Sequence, residues 1–179
     1  MDDHLDRFIA ELGSSDGMAR KRAREALVLA GRPAAPLLRH LLAGGDKRLR
    51  WEALKALAAI GDPGSLEDFV RFLDDPESDL RWLAATGLIR LGPRSVRPVL
   101  QALTDPKAPR GRLEMGRRVL SEFANDSEDL AHSLAPLMEV IGGNDQAVIA
   151  ERAARALSDV DLAAASEPDA GASPPESGA

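Results

Sequence analysis

The sequence predicts an all-α fold, a stack of about five antiparallel helix pairs, and three observations carry the prediction. The stretches RWEALKALAAIGDP (50–63) and RWLAATGLIRLGPR (81–94) are near copies whose arginines lie 31 residues apart. Repetition at a period of roughly 20–50 residues marks an array of stacked supersecondary units. The apolar residues, 44% of the chain, are mostly Ala and Leu, with four Phe, two Trp and no Tyr, a composition that favours helix over sheet. Each copy closes on a glycine with a proline one or two residues beyond it, the arrangement that ends one helix and begins the next.

Taken in order, DHLDRFIAEL (3–12) supplies the first helix. Five segments then share one pattern: ARKRAREALVLAG (19–31), LRWEALKALAAIG (49–61), LRWLAATGLIRLG (80–92), GRLEMGRRVLSEF (111–123) and IAERAARALSDV (149–160). Arginine stands at 20, 50, 81 and 112, with Ala150 in its place in the fifth copy. Ala23, Ala53, Ala84, Met115 and Ala153 follow three positions later, and Leu27, Leu57, Leu88, Val119 and Leu157 seven later. That spacing lies along one stripe of a helix, so each segment buries its small and branched residues on one face. Between them run second segments at 33–44, 65–75, 95–105 and 127–142, with apolar residues three and four apart, as in Ala35, Leu38, Leu42 and Leu66, Phe69, Leu73. Gly31, Gly61 and Gly92 precede Pro33, Pro63 and Pro93, and DDP (74–76) and TDP (104–106) mark the other turns. The expectation is ten helices in five pairs over residues 1–161. From 162 to 179, LAAASEPDAGASPPESGA has no periodicity and reads as a disordered tail.

Asp75-Pro76, Leu80-Arg81, Ala84-Ala85, Leu88 and Leu91-Gly92, with the parallel set one repeat earlier, resemble the HEAT repeats, specifically the short phycobilisome-lyase HEAT-like variety. The resemblance implies a right-handed α-solenoid in which the arginine-bearing helices line the concave side. It also implies a structural ladder between turn aspartates and helix-opening arginines. Arg20, Arg50, Arg81 and Arg112 are the arginines of that ladder, with Asp46 facing Arg50 and Asp75 facing Arg81; Asp16 and Asp105 fit more loosely.

The chemistry the sequence excludes is broad. There is no Cys, hence no disulfide and no thiolate catalysis or zinc–thiolate site. His4, His40 and His132 are followed by Leu5, Leu41 and Ser133 and have no second ligand at helical spacing, so no metal site is expected. GGD (44–46) and GGN (142–144) read as turns, not phosphate loops, and no G-x-S-x-G elbow occurs. No catalytic residue and no cofactor is expected. No apolar run reaches bilayer length and the acidic start lacks a signal-peptide core, so the expected location is cytoplasmic, away from membranes. Net charge is −6, but its sign alternates. Residues 20–55 carry ten Lys/Arg against three acids, and 81–118 nine against two. Residues 62–79 carry one against seven, and 122–161 two against nine. Alternating blocks argue against a groove that tracks nucleic acid along its length.

The expected function is protein–protein interaction, by a scaffold or adaptor without catalytic activity. Trp51 and Trp82 follow the ladder arginine by one position, and the residues four further on are Lys55 and Thr86, equivalent to Glu25 and Arg117. That face therefore reads as solvent-facing. The expected concave patch joins Trp51, Trp82, Leu83 and Leu113 with Lys21, Arg22, Lys55 and Arg117 at its margins, an aromatic hot spot with a cationic rim. It suits an apolar-acidic segment of a partner, or the chain's own acidic tail. The alternatives are an accessory subunit of an enzyme complex, as in the lyases that name these repeats, and a nucleic-acid-binding HEAT-like protein.

Overall fold

Where the sequence places a glycine followed by proline, the chain leaves one helix and enters another through a single tight turn. The computed structural model describes residues 2–44 and 46–166. Among them are ten α-helices: α1 (Asp2–Glu11), α2 (Gly17–Ala30), α3 (Ala35–Gly44), α4 (Lys47–Ile60), α5 (Leu66–Phe72), α6 (Ser78–Leu91), α7 (Val96–Leu103), α8 (Arg110–Asp126), α9 (Glu128–Val140) and α10 (Gln146–Ser166). The expected tail begins inside α10, which continues to Ser166; residues 167–179 lie outside the described residues. Among the described residues no helix is long and apolar enough to cross a membrane.

Gly31, Gly61 and Gly92 all have positive φ, at 69°, 66° and 82°, a region costly to any residue with a side chain. Each leads into one turn of 3₁₀-helix, at Arg32–Ala34, Pro63–Ser65 and Pro93–Ser95, with proline in the first positions where its missing N–H costs nothing. These turns carry the chain from α2, α4 and α6 across to α3, α5 and α7. The result is an α-solenoid of two layers. In one, α2, α4, α6 and α8 pack side by side; in the other, α1, α3, α5 and α7 each pack on the helix that follows.

The fifth pair departs from the expected order. α9 packs on α8 and α10 packs on α7, so the layers are exchanged relative to the first four pairs. The cause is local. Between α8 and α9 the sequence is AND-S-ED, with neither glycine nor proline, and only Ser127 separates the helices, in extended conformation with its side chain accepting from Leu130 N–H at 3.3 Å. Lacking the turn that crosses layers, the chain continues in the layer of α8. α10 then takes the other layer, where Asp161 receives Arg97 of α7 at 2.8 Å. The segment 149–160, aligned by sequence with the arginine-bearing helices, therefore sits among the other set.

The ladder exists, but of the expected pairs only Arg112 with Asp105 forms, and the other arginines take different partners. Asp46 and Asp16 accept from Leu49 N–H and Met18 N–H, each at 2.8 Å, as helix N-caps, and Asp75 accepts from Glu77 N–H at 2.9 Å. Carboxylates so engaged do not turn to the arginine of their own repeat. Arg20 and Arg81 instead donate to the carbonyls six and five residues before them, Ser14 and Ser15 in one case and Asp75 and Pro76 in the other, at 2.8–3.0 Å. Arg50 reaches forward to the Asp75 carboxylate at 3.0 Å. Arg112 meets its own Asp105 at 3.3 Å but bonds Asp74 of the preceding turn more closely, Nε to Oδ1 at 2.5 Å. That bond to Asp74 holds the Arg112 guanidinium above its ordinary pKa, against the opposing effect of desolvation.

The sequence reading missed two of the buried carboxylates. Glu52, 4% exposed, receives both Arg20 at 3.2 Å and Arg24; Asp68 receives Arg39 at 2.5 Å and Arg71 at 2.8 Å. Together with Asp75, each buried acid takes a guanidinium from the repeat before it. Removing Glu52 leaves two guanidiniums facing a closed interface. Glu52→Ala should therefore cost about 2 kcal/mol in denaturant unfolding, about twice the loss for Asp46→Ala, which removes only a cap.

Close helix contact also depends on missing side chains. A Cβ on Gly87 would lie 2.5 Å from a ring carbon of Phe69, which is fully buried between α5 and α6. Replacing glycine in a helix interior ordinarily stabilises by up to about 1 kcal/mol. Here the overlap with a rigid ring dominates, and Gly87→Ala should lower stability by about 1–3 kcal/mol, read as a lower melting temperature. A rise would show that the ring has room to move.

Candidate functional site

A groove of about 650 Å³ runs across α2, α4 and α6. It exists because the middle helix presents little bulk. At the positions where α2 carries Val28 and Leu29, α4 carries Ala58 and Ala59, so the floor drops between its neighbours. Leu83 completes the floor and Trp82 forms the α6 wall, 47% exposed. Arg90 crosses it, donating from Nη1 to the Ala58 carbonyl at 3.3 Å.

The surrounding charge is mostly cationic. Lys55 and Arg90 line the groove, and Arg118 of α8 stands over the Trp82 ring at 5.2 Å from its centroid. Among the described residues none of these three has a carboxylate within ion-pair distance. Glu25, loosely paired with Lys21 at 3.8 Å, is the one acid on the lining. Arg24 also lines it, but its charge is answered by Glu52.

The two tryptophans are not equivalent. Trp51 is half-buried against the core, with Lys55 at 4.4 Å and Arg24 at 5.9 Å from its ring centroid, so both cations cover it. Of the expected patch, Trp82, Leu83 and Lys55 come together in the groove. Leu113, 5% exposed, belongs to the core and forms no part of a surface patch. Arg117 lies against Gly142 in the turn after α9, and Lys21 and Arg22 are exposed on α2 outside the lining. The expected cationic margin is thus divided among separate places. Ala58 and Ala59 were not foreseen as site residues, because small residues on an amphipathic helix read as packing; only their alignment with Val28 and Leu29 marks them as a gap. Among the described residues no group of three His, Cys, Asp or Glu is placed to hold a metal ion.

The profile of HEAT repeats matches residues 5–89 of the chain. Its fold is similar to that of a chain in the structure of the complex of CpcE and CpcF of phycocyanin lyase from Nostoc sp. PCC7120. The TM-score is 0.60 at 22% sequence identity, over 87% of this chain and 99% of that one. No curated protein matches the chain significantly in sequence.

The contrast between the indoles is testable by thermal melting. Trp51→Ala removes a ring packed on the core and should cost about 2 kcal/mol. Trp82→Ala removes a half-exposed ring and should cost under about 1 kcal/mol. Equal losses would mean that Trp82, too, serves packing.

Proposed function

We propose that this HEAT-repeat solenoid is a non-catalytic adaptor that receives an apolar-acidic segment of a partner protein in the groove across α2, α4 and α6. The observation that carries this reading is the half-exposed Trp82 beside an apolar floor, rimmed by Lys55, Arg90 and Arg118 without acidic partners of their own. An exposed aromatic at the centre of a concave apolar surface contributes a large share of binding energy once water is excluded. Unanswered cations around it favour a partner carrying Asp or Glu and speed its approach. The layer holding the groove is the more closely packed of the two, which supports a position on the concave side. Apolar walls and Glu25 on the lining speak against a phosphate backbone as the ligand.

A second reading, an accessory subunit within an enzyme complex, is favoured by the likeness of fold to a chain from a two-protein lyase complex. The two readings part on stoichiometry and permanence, an adaptor exchanging partners and a subunit purifying with one chain.

The test is capture from native lysate by the immobilised full chain and by its Trp82→Ala/Lys55→Glu variant, with quantitative mass spectrometry. A partner of the groove should be depleted about tenfold or more on the variant, while circular dichroism shows unchanged helicity. Proteins retained equally by both forms bind elsewhere, and their dominance would reject the groove as the site. A single protein retained at one-to-one stoichiometry through high-salt washing would favour the subunit reading.

A further inference from the structure

The outward face of α2 carries a second pattern, which meets the groove at its α2 wall through Glu25 and Leu29. Met18, Arg22, Glu25 and Leu29 are spaced by four, three and four residues, so they form one stripe along three turns of the helix. All four are exposed, Met18 at 59% and Leu29 at 90%. The buried residues of α2, Ala23 and Leu27, lie on the opposite side. Two of the four exposed large apolar residues in the described chain are therefore on this stripe. Arg22 has no ion-pair or hydrogen-bond partner among the described residues, and Glu25 has only Lys21 at 3.8 Å.

The order of chemistry along the stripe is apolar, cation, anion, apolar, and it is symmetric about a point between Ala23 and Arg24. Two such helices laid antiparallel about a two-fold axis through that point set Met18 against Leu29 of the other copy and Arg22 against Glu25. Each contact then occurs twice, as an isologous interface requires. Spacings of four and three are those of a helix–helix seam. A parallel register would set Arg22 against Arg22 and Glu25 against Glu25, so the charges select the antiparallel one. Beside the stripe, a groove of about 520 Å³ between α1 and α2, lined by Leu5, Phe8, Ala26 and Pro33 and bordered by Leu29, extends the apolar surface.

We propose that α2 is a self-association surface and that its occupant is α2 of a second copy of this chain, antiparallel, with Arg22 paired to Glu25 across the two-fold axis. One helix pair buries less than the roughly 1,200–2,000 Å² of a standard stable interface, so the dimer is weak and concentration-dependent. Trp82, on α6, lies off the stripe, while Glu25 and Leu29 also form the α2 wall of the groove.

Sedimentation velocity on the full chain, from micromolar to sub-millimolar concentration, tests this. The wild type should pass from monomer to dimer. Arg22→Glu makes both contacts acid against acid, and Glu25→Arg makes both base against base; each alone should weaken association about tenfold or more. Mixed together, the two variants set the introduced carboxylate of one against the introduced guanidinium of the other, and should restore dimer as a heterodimer. Recovery on mixing also shows that each variant is folded. Leu29→Ser should remove the dimer in every combination. A monomeric wild type throughout, a dimer indifferent to the three substitutions, or charge variants that fail to associate when mixed would overturn the proposal. Arg22 lies outside the groove lining, whereas Glu25 and Leu29 are part of it, so loss of dimer in Arg22→Glu with capture of a groove partner retained separates this proposal from the partner groove.

Discussion

A buried carboxylate that must be met by an arginine from the preceding repeat is the constraint on which this solenoid's geometry rests. Glu52, Asp68 and Asp75 are each nearly inaccessible, and each is held from 25 to 32 residues upstream, by Arg20 with Arg24, by Arg39 and by Arg50. Apolar contact between Ala- and Leu-rich helices is tolerant of sliding, because small side chains interdigitate in several registers. An ion pair closed off from water is not tolerant, since a carboxylate left without its partner carries its whole desolvation penalty. The pairs therefore contribute little net stability compared with burial, yet they make one register between neighbouring repeats much better than the next.

A second constraint works within the chain rather than between repeats. The glycine–proline turns after α2, α4 and α6 carry the backbone from one layer to the other by way of a positive φ and a single 3₁₀ turn. After α8 neither residue is present, Ser127 alone connects to α9, and the layers exchange. The exchange gives α10 a position along α7, tied by Arg97 and Asp161, and makes the fifth pair unlike the other four.

With the ladder fixing the register and the turns fixing the layers, surface chemistry is left to positions that neither uses. Ala58 and Ala59 on α4 open the groove that Trp82 borders, and Arg118 of the next repeat but one from α4 reaches over the indole. The fourth arginine-bearing helix carries Arg118 where its predecessors have small or apolar residues, and this departure from the repeat contributes to the site. Irregularity and the proposed binding surface coincide here for a physical reason, since a residue that served the stack could not also be free for a partner.

The sequence alone determined the helices, their number and their stripes, because periodicity of apolar residues and the glycine–proline punctuation are local properties of the chain. It also determined that arginines would tie the repeats, and it placed Trp82 and Lys55 on one helix face by their offsets of one and five from the ladder arginines, with Leu83 beside them. Only the tertiary structure decided which acid meets which arginine. Asp16, Asp46 and Asp75 are nearest in sequence to the arginines of their own repeats, but each gives an oxygen to a backbone N–H at a helix start, and the other oxygen of Asp75 takes Arg50, a competition that spacing does not reveal. It decided that Leu113 is core and Trp51 half-covered, since exposure depends on the neighbouring repeat and not on the helix that bears the residue. And it decided the exchange at the fifth pair, where similarity of the 149–160 segment to its predecessors pointed to one layer and the missing turn put it in the other: a helix's own pattern says which face is buried, but the connection before it says against what.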